Sequence, residues 1–345
     1  MQLYIDSYGS FLHVKDKMFE VKIKSGDEFK KSLISPLKIS SILLSKGTTV
    51  STEAIKLALI HNIDIIFLES DGTPLGRVWH SKLGSTTKIR KCQLVASMNS
   101  TGVTFVKEWI CNKISNQAEF LADLKKNRPG QANMLAERIE SLRNNQKSIE
   151  ELDAGTISEI SDKIRGYEGT ASRMYFTALG EIIPKEFYFE KRSRRPAQDY
   201  FNAFLNYAYG ILYSKVEKAL IIAGIDPYLG FMHRDDYNQL SMVFDFIEPF
   251  RGFADKTIFT LFSRKKVNKS TIDEIPGGYT LNKEGKMLLV EAYNKFMDEE
   301  PVKYKGRNQT RNNIIQFEAH IFANNLLAKK FDYKDIEKYD LLGDV

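Results

Sequence analysis

Three stretches of this chain carry side chains that can do chemistry together. In Arg165-Gly166-Tyr167-Glu168 a glutamate sits among apolar neighbours. Further on, His233 is followed by Asp245 and Glu248 inside the stretch 230–255. Between these two lies Lys191-Arg192-Ser193-Arg194-Arg195, a short run of cations ahead of Pro196. One imidazole with two or three carboxylates would make a mixed nitrogen–oxygen site. Oxygen-rich donors favour Mg2+ or Mn2+, and the imidazole tilts the choice toward Mn2+ or tolerance of both. Three protein ligands on a roughly octahedral ion leave about three positions for water and phosphate oxygens. An ion so held polarises a phosphodiester and activates a hydroxyl nucleophile.

These residues need elements to carry them. The spacing predicts a helix over 156–179, with Ile157, Ile160, Ile164, Ala171 and Tyr175 on one face. Glu168 falls on that face. A carboxylate among buried apolar groups costs several kcal/mol unless a cation compensates it. Arg165 or Arg173 in a structural ion pair would serve, and so would a metal. His233 follows a glycine-containing turn and precedes a helix with Val243, Phe244 and Ile247 on its apolar side. Asp245 and Glu248, three apart, are expected to share a face that Arg251 and Asp255 extend. Glu168 and His233 lie far apart in sequence, so their convergence depends on the fold. Asp199 stands where an N-cap would, opening a helix rich in Tyr200, Phe201, Phe204, Tyr207 and Tyr209, which read as core.

The 345 residues suggest two domains. Residues 1–85 read as β-rich: Phe19, Val21 and Ile23 alternate with Glu20, Lys22 and Lys24, predicting one buried and one wet face. Further strands are expected over 2–8, 38–44, 63–68 and 75–79, with a turn at Asp71-Gly72. Ser51 can cap a helix over 52–60. Residues 86–345 carry helical spacing almost throughout, interrupted by prolines and by Pro276-Gly277-Gly278. The fold class is therefore α+β, a small N-terminal β-rich domain followed by a larger all-α domain that holds the chemistry. The net charge of +6 is mild, so any nucleic-acid surface is a local patch, such as 191–195 or Arg264-Lys265-Lys266. Cys92 and Cys111 lack metal spacing and read as buried thiols in a reducing compartment. The N-terminus has neither a basic start nor an apolar signal core, and the longest apolar stretch, 219–232, is broken by Asp226 and Pro227. A cytoplasmic protein without a membrane span is expected.

In this order, the segments resemble the CRISPR-associated protein one family, the integrase of CRISPR adaptation. The resemblance covers most of the chain. It rests on Ile34-Ser-Pro-Leu-Lys-Ile-Ser-Ser-Ile-Leu-Leu and Val50-Ser-Thr-Glu-Ala-Ile, then on Arg165-Gly-Tyr-Glu168-Gly-Thr-Ala-Ser-Arg-Met-Tyr-Phe. Arg194-Arg-Pro-Ala-Gln-Asp199-Tyr-Phe-Asn202-Ala203 and the stretch from His233 to Glu248 complete it. The resemblance implies a catalytic set of Glu168, His233, Asp245 and Glu248. It makes Glu168, His233 and Glu248 the ligands of Mg2+ or Mn2+, with Asp245 behind them or as an alternate ligand. Pro249 stands where many relatives carry a second acid. Candidate DNA contacts are Arg165, Arg173, Lys191, Arg192, Arg194, Arg195 and Arg251. The implied reaction is transesterification: the 3′-hydroxyl of a protospacer duplex attacks a phosphodiester of leader-repeat DNA, with metal-dependent nuclease activity beside it. The implied partners are a second copy, through the N-terminal domain, and the small CRISPR-associated protein two. A transposon-encoded integrase with the same site, and a non-catalytic DNA-binding scaffold, are the alternative readings.

Overall fold

The computed structural model describes residues 2–25, 28–39, 41–69, 74–78, 86–233 and 239–329. The chain divides into two compact units, Met1–Gly84 and Ser85–Val345.

In the smaller unit, two four-stranded sheets and a helix enclose a separate apolar core. The first sheet has the order β1 (Gln2–Ile5), β5 (Ser41–Leu44), β7 (Asp64–Leu68), β8 (Pro74–Val78). Its first three strands are parallel, with Leu3 opposite Ile42 and Ile42 opposite Ile65. Such strands read as nearly continuous apolar runs because both faces are covered. The second sheet has the order β4 (Glu28–Ile34), β3 (Met18–Ser25), β2 (Phe11–Lys15), β6 (Thr49–Val50). Helix α1 (Thr52–Ile60) begins where its cap predicts, the Ser51 hydroxyl accepting from the Ala54 amide at 3.2 Å.

The alternation along β3 holds on one side, with Phe19 and Val21 buried. Its expected wet side is not wholly wet. Glu20 is also buried, and a cross-strand partner explains it: His13 on β2 places Nε2 2.6 Å from Glu20 Oε2, and the Lys22 ammonium lies 3.5 Å from the same oxygen. The turn expected at Asp71-Gly72 and the end of the strand at Trp79 lie outside the described residues.

The larger unit is mostly helical. Its helices are α2 (Thr86–Ser97), α3 (Ser100–Lys126), α4 (Ala132–Glu150), α5 (Ser161–Ile182), α6 (Tyr200–Ala223), α7 (Ser241–Phe246), α8 (Arg251–Ser263), α9 (Lys283–Asn294) and α10 (Arg311–Ala328). Two hairpins that helical spacing did not register interrupt the series: β9 (Ile272–Ile275) with β10 (Gly278–Leu281), and β11 (Val302–Tyr304) with β12 (Arg307–Gln309). Pro276-Gly277, expected as a break, forms the first hairpin's turn.

Helix α6 starts as expected, Asp199 accepting from the Asn202 amide at 2.7 Å. It ends at Gly224, whose φ of +83° suits a residue without Cβ. Phe201 and Phe204 are fully buried. Trp109 of α3 stacks on Phe231 at 5.8 Å and meets Phe246 and Phe322 edge-on. Helix α3 thereby anchors the segments that carry the acids. Cys92 and Cys111 are free and buried, and burial pushes the Cys111 thiol up to about 11, which makes it a poor nucleophile. No helix among the described residues is long and apolar enough to cross a membrane.

Candidate active site

Glu168 lies midway along α5, on the face predicted for it, with Ile164, Ala171 and Tyr175 fully buried around it. Its compensating cation is neither Arg165 nor Arg173. Lys113 of α3 reaches Glu168 Oε1 with its ammonium, and Ser172 donates to the same oxygen at 2.7 Å. The Lys113 ammonium also stands 2.7 Å from Glu248 Oε2, so two carboxylates far apart in sequence share one cation. Apart from that ion contact, Glu248 Oε2 has no hydrogen-bond partner among the described residues. Its other oxygen accepts from Arg251 Nε at 2.9 Å. Asn116, one turn after Lys113 on α3, donates to the Pro249 carbonyl at 2.8 Å and fixes the chain beside Glu248.

Burial opposes every charge here, and the neighbours outweigh it. It pushes the Glu248 carboxyl up, but Arg251 and Lys113 hold it at about 2. It likewise pushes Glu168 up, and Lys113 brings it below the usual carboxylate range. The Lys113 ammonium is disfavoured by burial, yet Glu248 and then Glu168 raise it above the ordinary lysine value. Both acids are therefore anions at neutral pH. Lys113 was not among the residues that sequence spacing singled out. Its signal was present: Val106, Ile110, Lys113, Gln117 and Leu121 follow one helical stripe, and a lysine in an apolar stripe calls for an anion as much as Glu168 calls for a cation.

Asp245 and Glu248 do not share a face. Helix α7 ends at Phe246, and Glu248-Pro249-Phe250 form a separate 3-10 turn before α8. Proline is at home in the first turn of a helix and hostile to its interior, which explains the break. The two acids consequently turn to different tasks. Asp245 accepts from the backbone amides of Phe231 (2.6 Å), Met232 (2.9 Å) and His233 (3.2 Å), and from His233 Nδ1 at 2.5 Å. All its bonding capacity goes to holding that loop. A carboxylate at Nδ1 favours the tautomer that carries its proton there, and in a neutral ring of that tautomer the lone pair lies on Nε2. Gly230 is required in the same loop, since a Cβ there would lie 2.6 Å from the Ser241 Cβ. Gln93 braces the approach by donating to the Asp226 and Leu229 carbonyls. Arg165 donates to the Met232 carbonyl at 3.0 Å, linking α5 to the histidine loop.

Among the expected metal ligands, Glu168 and Glu248 are thus brought together. Their oxygens converge on one cationic atom, and one oxygen has no other partner, so the pair fits a hard divalent ion. The His233 ring instead meets Asp245 and Phe244. Among the described residues no three His, Cys, Asp or Glu side chains form a metal-holding group.

The expected DNA contacts separate into two kinds. Arg251 is committed to Glu248, donates to the Tyr213 hydroxyl at 3.1 Å and lies over the Tyr209 ring. Arg192 donates to Asn202 Oδ1 at 2.7 Å and Asn206 Oδ1 at 2.6 Å and lies over the same ring. Both serve the interior. Asp255, expected on the stripe with Glu248, is fully buried and accepts from the Tyr209 hydroxyl at 2.6 Å. Arg173, Lys191, Arg194, Arg195 and Arg165 are exposed, Arg165 reaching the histidine loop.

Fold and site together define a two-unit α+β protein whose helical unit brings two carboxylates onto one lysine. The family model described as CRISPR associated protein Cas1 matches residues 3–295, and the chain belongs to that family. A relative from Archaeoglobus fulgidus named CRISPR-associated endonuclease Cas1 1 is 33% identical over 331 residues, covering 92% of this chain and 94% of its own. Among solved structures, a casposase bound to integration product superposes with a TM-score of 0.81 at 21% identity, over 98% of this chain and 97% of that one. The chain also resembles a Cas6-RT-Cas1–Cas2 complex, with a TM-score of 0.72 at 20% identity, over 95% of this chain and 35% of that one. Both likenesses are of fold.

Proposed function

We propose that this protein is a divalent-metal-dependent DNA integrase and endonuclease of CRISPR adaptation. In the integration step a 3′-hydroxyl of a short DNA duplex attacks a phosphodiester of the repeat. One phosphorus–oxygen bond forms, another breaks, and the repeat strand leaves as a new 3′-hydroxyl. The observation that carries this reading is the meeting of Glu168 and Glu248, both ionised and largely buried, in a member of the Cas1 family. Glu168 and Glu248 would hold Mg2+ or Mn2+, with His233 Nε2 as third donor. The bound ion would supply Lewis-acid polarisation of the phosphodiester.

The remaining roles belong to the chain's own residues. Asp245 orients the His233 ring, and Asn116 steadies the turn that carries Glu248. The exposed cations Lys191, Arg194 and Arg195, with Arg173, bind phosphates and set register on the duplex rather than sequence. A second copy would pair through the N-terminal unit. There β4 is a sheet edge and Phe29, Leu33 and Leu37 are exposed, a surface that association would cover. The small CRISPR-associated protein two completes the assembly in this reading, and the Cas6-RT-Cas1–Cas2 fold neighbour supports that partnership.

The test is strand transfer of a labelled duplex into a supercoiled plasmid carrying a repeat, with the partner protein present. Product is expected in Mg2+ or Mn2+ and none in EDTA. His233→Ala should abolish transfer while DNA binding stays near the wild-type level. Arg194→Ala with Arg195→Ala should weaken binding, flatten its salt dependence and leave the metal requirement unaltered. Undiminished transfer in EDTA would overturn the metal reading, and near-normal transfer by His233→Ala would remove the histidine from it.

A further inference from the structure

The ammonium of Lys113 stands where a cation bridging Glu168 and Glu248 would stand. Lys113 is buried, and its ammonium meets both carboxylates. With Arg251 on the far oxygen of Glu248, the cluster holds two anions and two cations and is already balanced. A divalent ion added to a balanced, largely buried cluster would leave an uncompensated double positive charge. Such a charge is costly in a medium that solvates it poorly. Arg251 cannot easily give way, since its fork is held by Glu248 and the Tyr213 hydroxyl and its plane lies against two tyrosine rings. The lysine is a point charge on a flexible four-carbon stem and can. Glu168, the more exposed of the two acids, gives solvent its way in.

Resting on the metal reading above, we propose that Lys113 is a resident counter-cation: it holds Glu168 and Glu248 together in the ion-free protein and sets their affinity for a divalent ion, which takes its place as the ammonium withdraws. Lys113 is then a positioning residue with two effects of opposite sign. It stabilises the empty site and it weakens the filled one. Without the lysine, the two carboxylates repel each other until an ion arrives, and the ion meets no competitor.

The experiment is Mn2+ binding to the full chain without DNA, read by electron paramagnetic resonance of the free ion, with thermal melting alongside. Wild type, Lys113→Met, Lys113→Arg and Glu168→Gln are compared. Lys113→Met should bind Mn2+ at least about tenfold more tightly than wild type, because a like charge at contact distance has been removed. It should melt lower than wild type in EDTA and recover more of its melting temperature on adding Mn2+. Lys113→Arg, which keeps the charge, should bind no more tightly than wild type. Should Lys113→Met not fold, Lys113→Gln, which keeps a donor for Glu168, takes the same test. Folded Lys113→Met or Lys113→Gln binding Mn2+ no more tightly than wild type overturns the proposal. If wild type still binds and Glu168→Gln does not, the metal reading survives that failure. If neither wild type nor the lysine variants bind Mn2+, the metal reading falls and takes this proposal with it.

Discussion

Glu248 and Asp255 stand seven residues apart, one opening the 3-10 turn and the other in the helix α8 that follows it, and both are buried acids of the same helical unit. Their surroundings drive them in opposite directions. Glu248 meets two cations, Arg251 and Lys113, which overcome burial and hold it at about 2. Around Asp255, burial wins. The hydroxyls of Tyr209 and Tyr175 lie beside it, and neither they nor the more distant Arg251 and Arg192 prevent its carboxyl from rising above the usual aspartate value. Burial, with the Asp255 charge adding to it, pushes both tyrosines well up. Burial alone therefore does not mark an acid as functional. The mark is a buried acid kept anionic, because only an anion can exchange its cation for another. Glu248 meets such a cation in Lys113, whereas Asp255 ties α8 to α6 through the Tyr209 hydroxyl.

The sharpest way to break this contrast is Glu248→Gln. The substitution strands Lys113 and Arg251 with one fewer anion in a buried place. Removing one partner of a buried pair costs roughly 3–5 kcal/mol. Strand transfer should fall to the level of wild type in EDTA, and denaturant unfolding should show a loss in that range. If Glu248→Gln kept both transfer and stability, Glu248 would be an ordinary buried acid like its neighbour.

Acid and base should then pull the two residues apart. The folded value of Glu248 lies below its unfolded value of 4.5. Its contribution is therefore fully present above pH 4.5 and lost as pH falls toward about 2. A depression of that size corresponds to on the order of 3 kcal/mol. Asp255 has the opposite sign. Its folded value lies above the unfolded 3.8, so its contribution is fully present below pH 3.8 and lost as pH rises through the folded value. Urea unfolding of wild type and Glu248→Gln across the acid range checks the first slope. The variant should lack part of the stability that wild type loses on acidification, and identical slopes would refute the assignment.

The sequence showed one side of this contrast more readily than the other. Glu168 was legible because its neighbours at helical spacing are apolar, and Ile164, Ala171 and Tyr175 are indeed buried. The capping residues Ser51 and Asp199 act where they were placed, since capping is a local property of a few consecutive residues. Lys113 escaped notice because its partners lie in two other segments, and no spacing rule spans that separation. The shared face expected for Asp245 and Glu248 failed for a local reason, the proline after Glu248, which ends one helical stretch and opens another. Arg192 and Arg251 read as surface cations. Aromatic rings and buried acceptors from distant positions draw them inward. The hairpins at 272–281 and 302–309 are too short for alternation to stand out from the helical spacing around them.

The smallest effect is expected from Asp255→Asn, and it tests the contrast most closely. Asparagine has nearly the shape of aspartate. Its carbonyl oxygen can still accept from the Tyr209 hydroxyl, which now donates to Asp255 Oδ1 at 2.6 Å. Its amide places a donor near the Tyr175 oxygen, which has no hydrogen-bond partner among the described residues, as Asp255 Oδ2 has none. One bond is kept and one can be gained, so the change in stability should stay within about 1 kcal/mol. The sign should depend on pH. Below 3.8 the two proteins should be nearly equal, and as pH rises above that value the variant should gain on wild type, because asparagine has no charge to bury. Strand transfer should be unaffected. Chemical unfolding of both proteins at pH 3.5 and pH 7 decides the matter. A loss of more than about 3 kcal/mol at pH 7 would mean that Arg192 and Arg251 need Asp255 as an anion. Asp255 would then belong with Glu248, and the two acids would form one ionic network running from the site into the core.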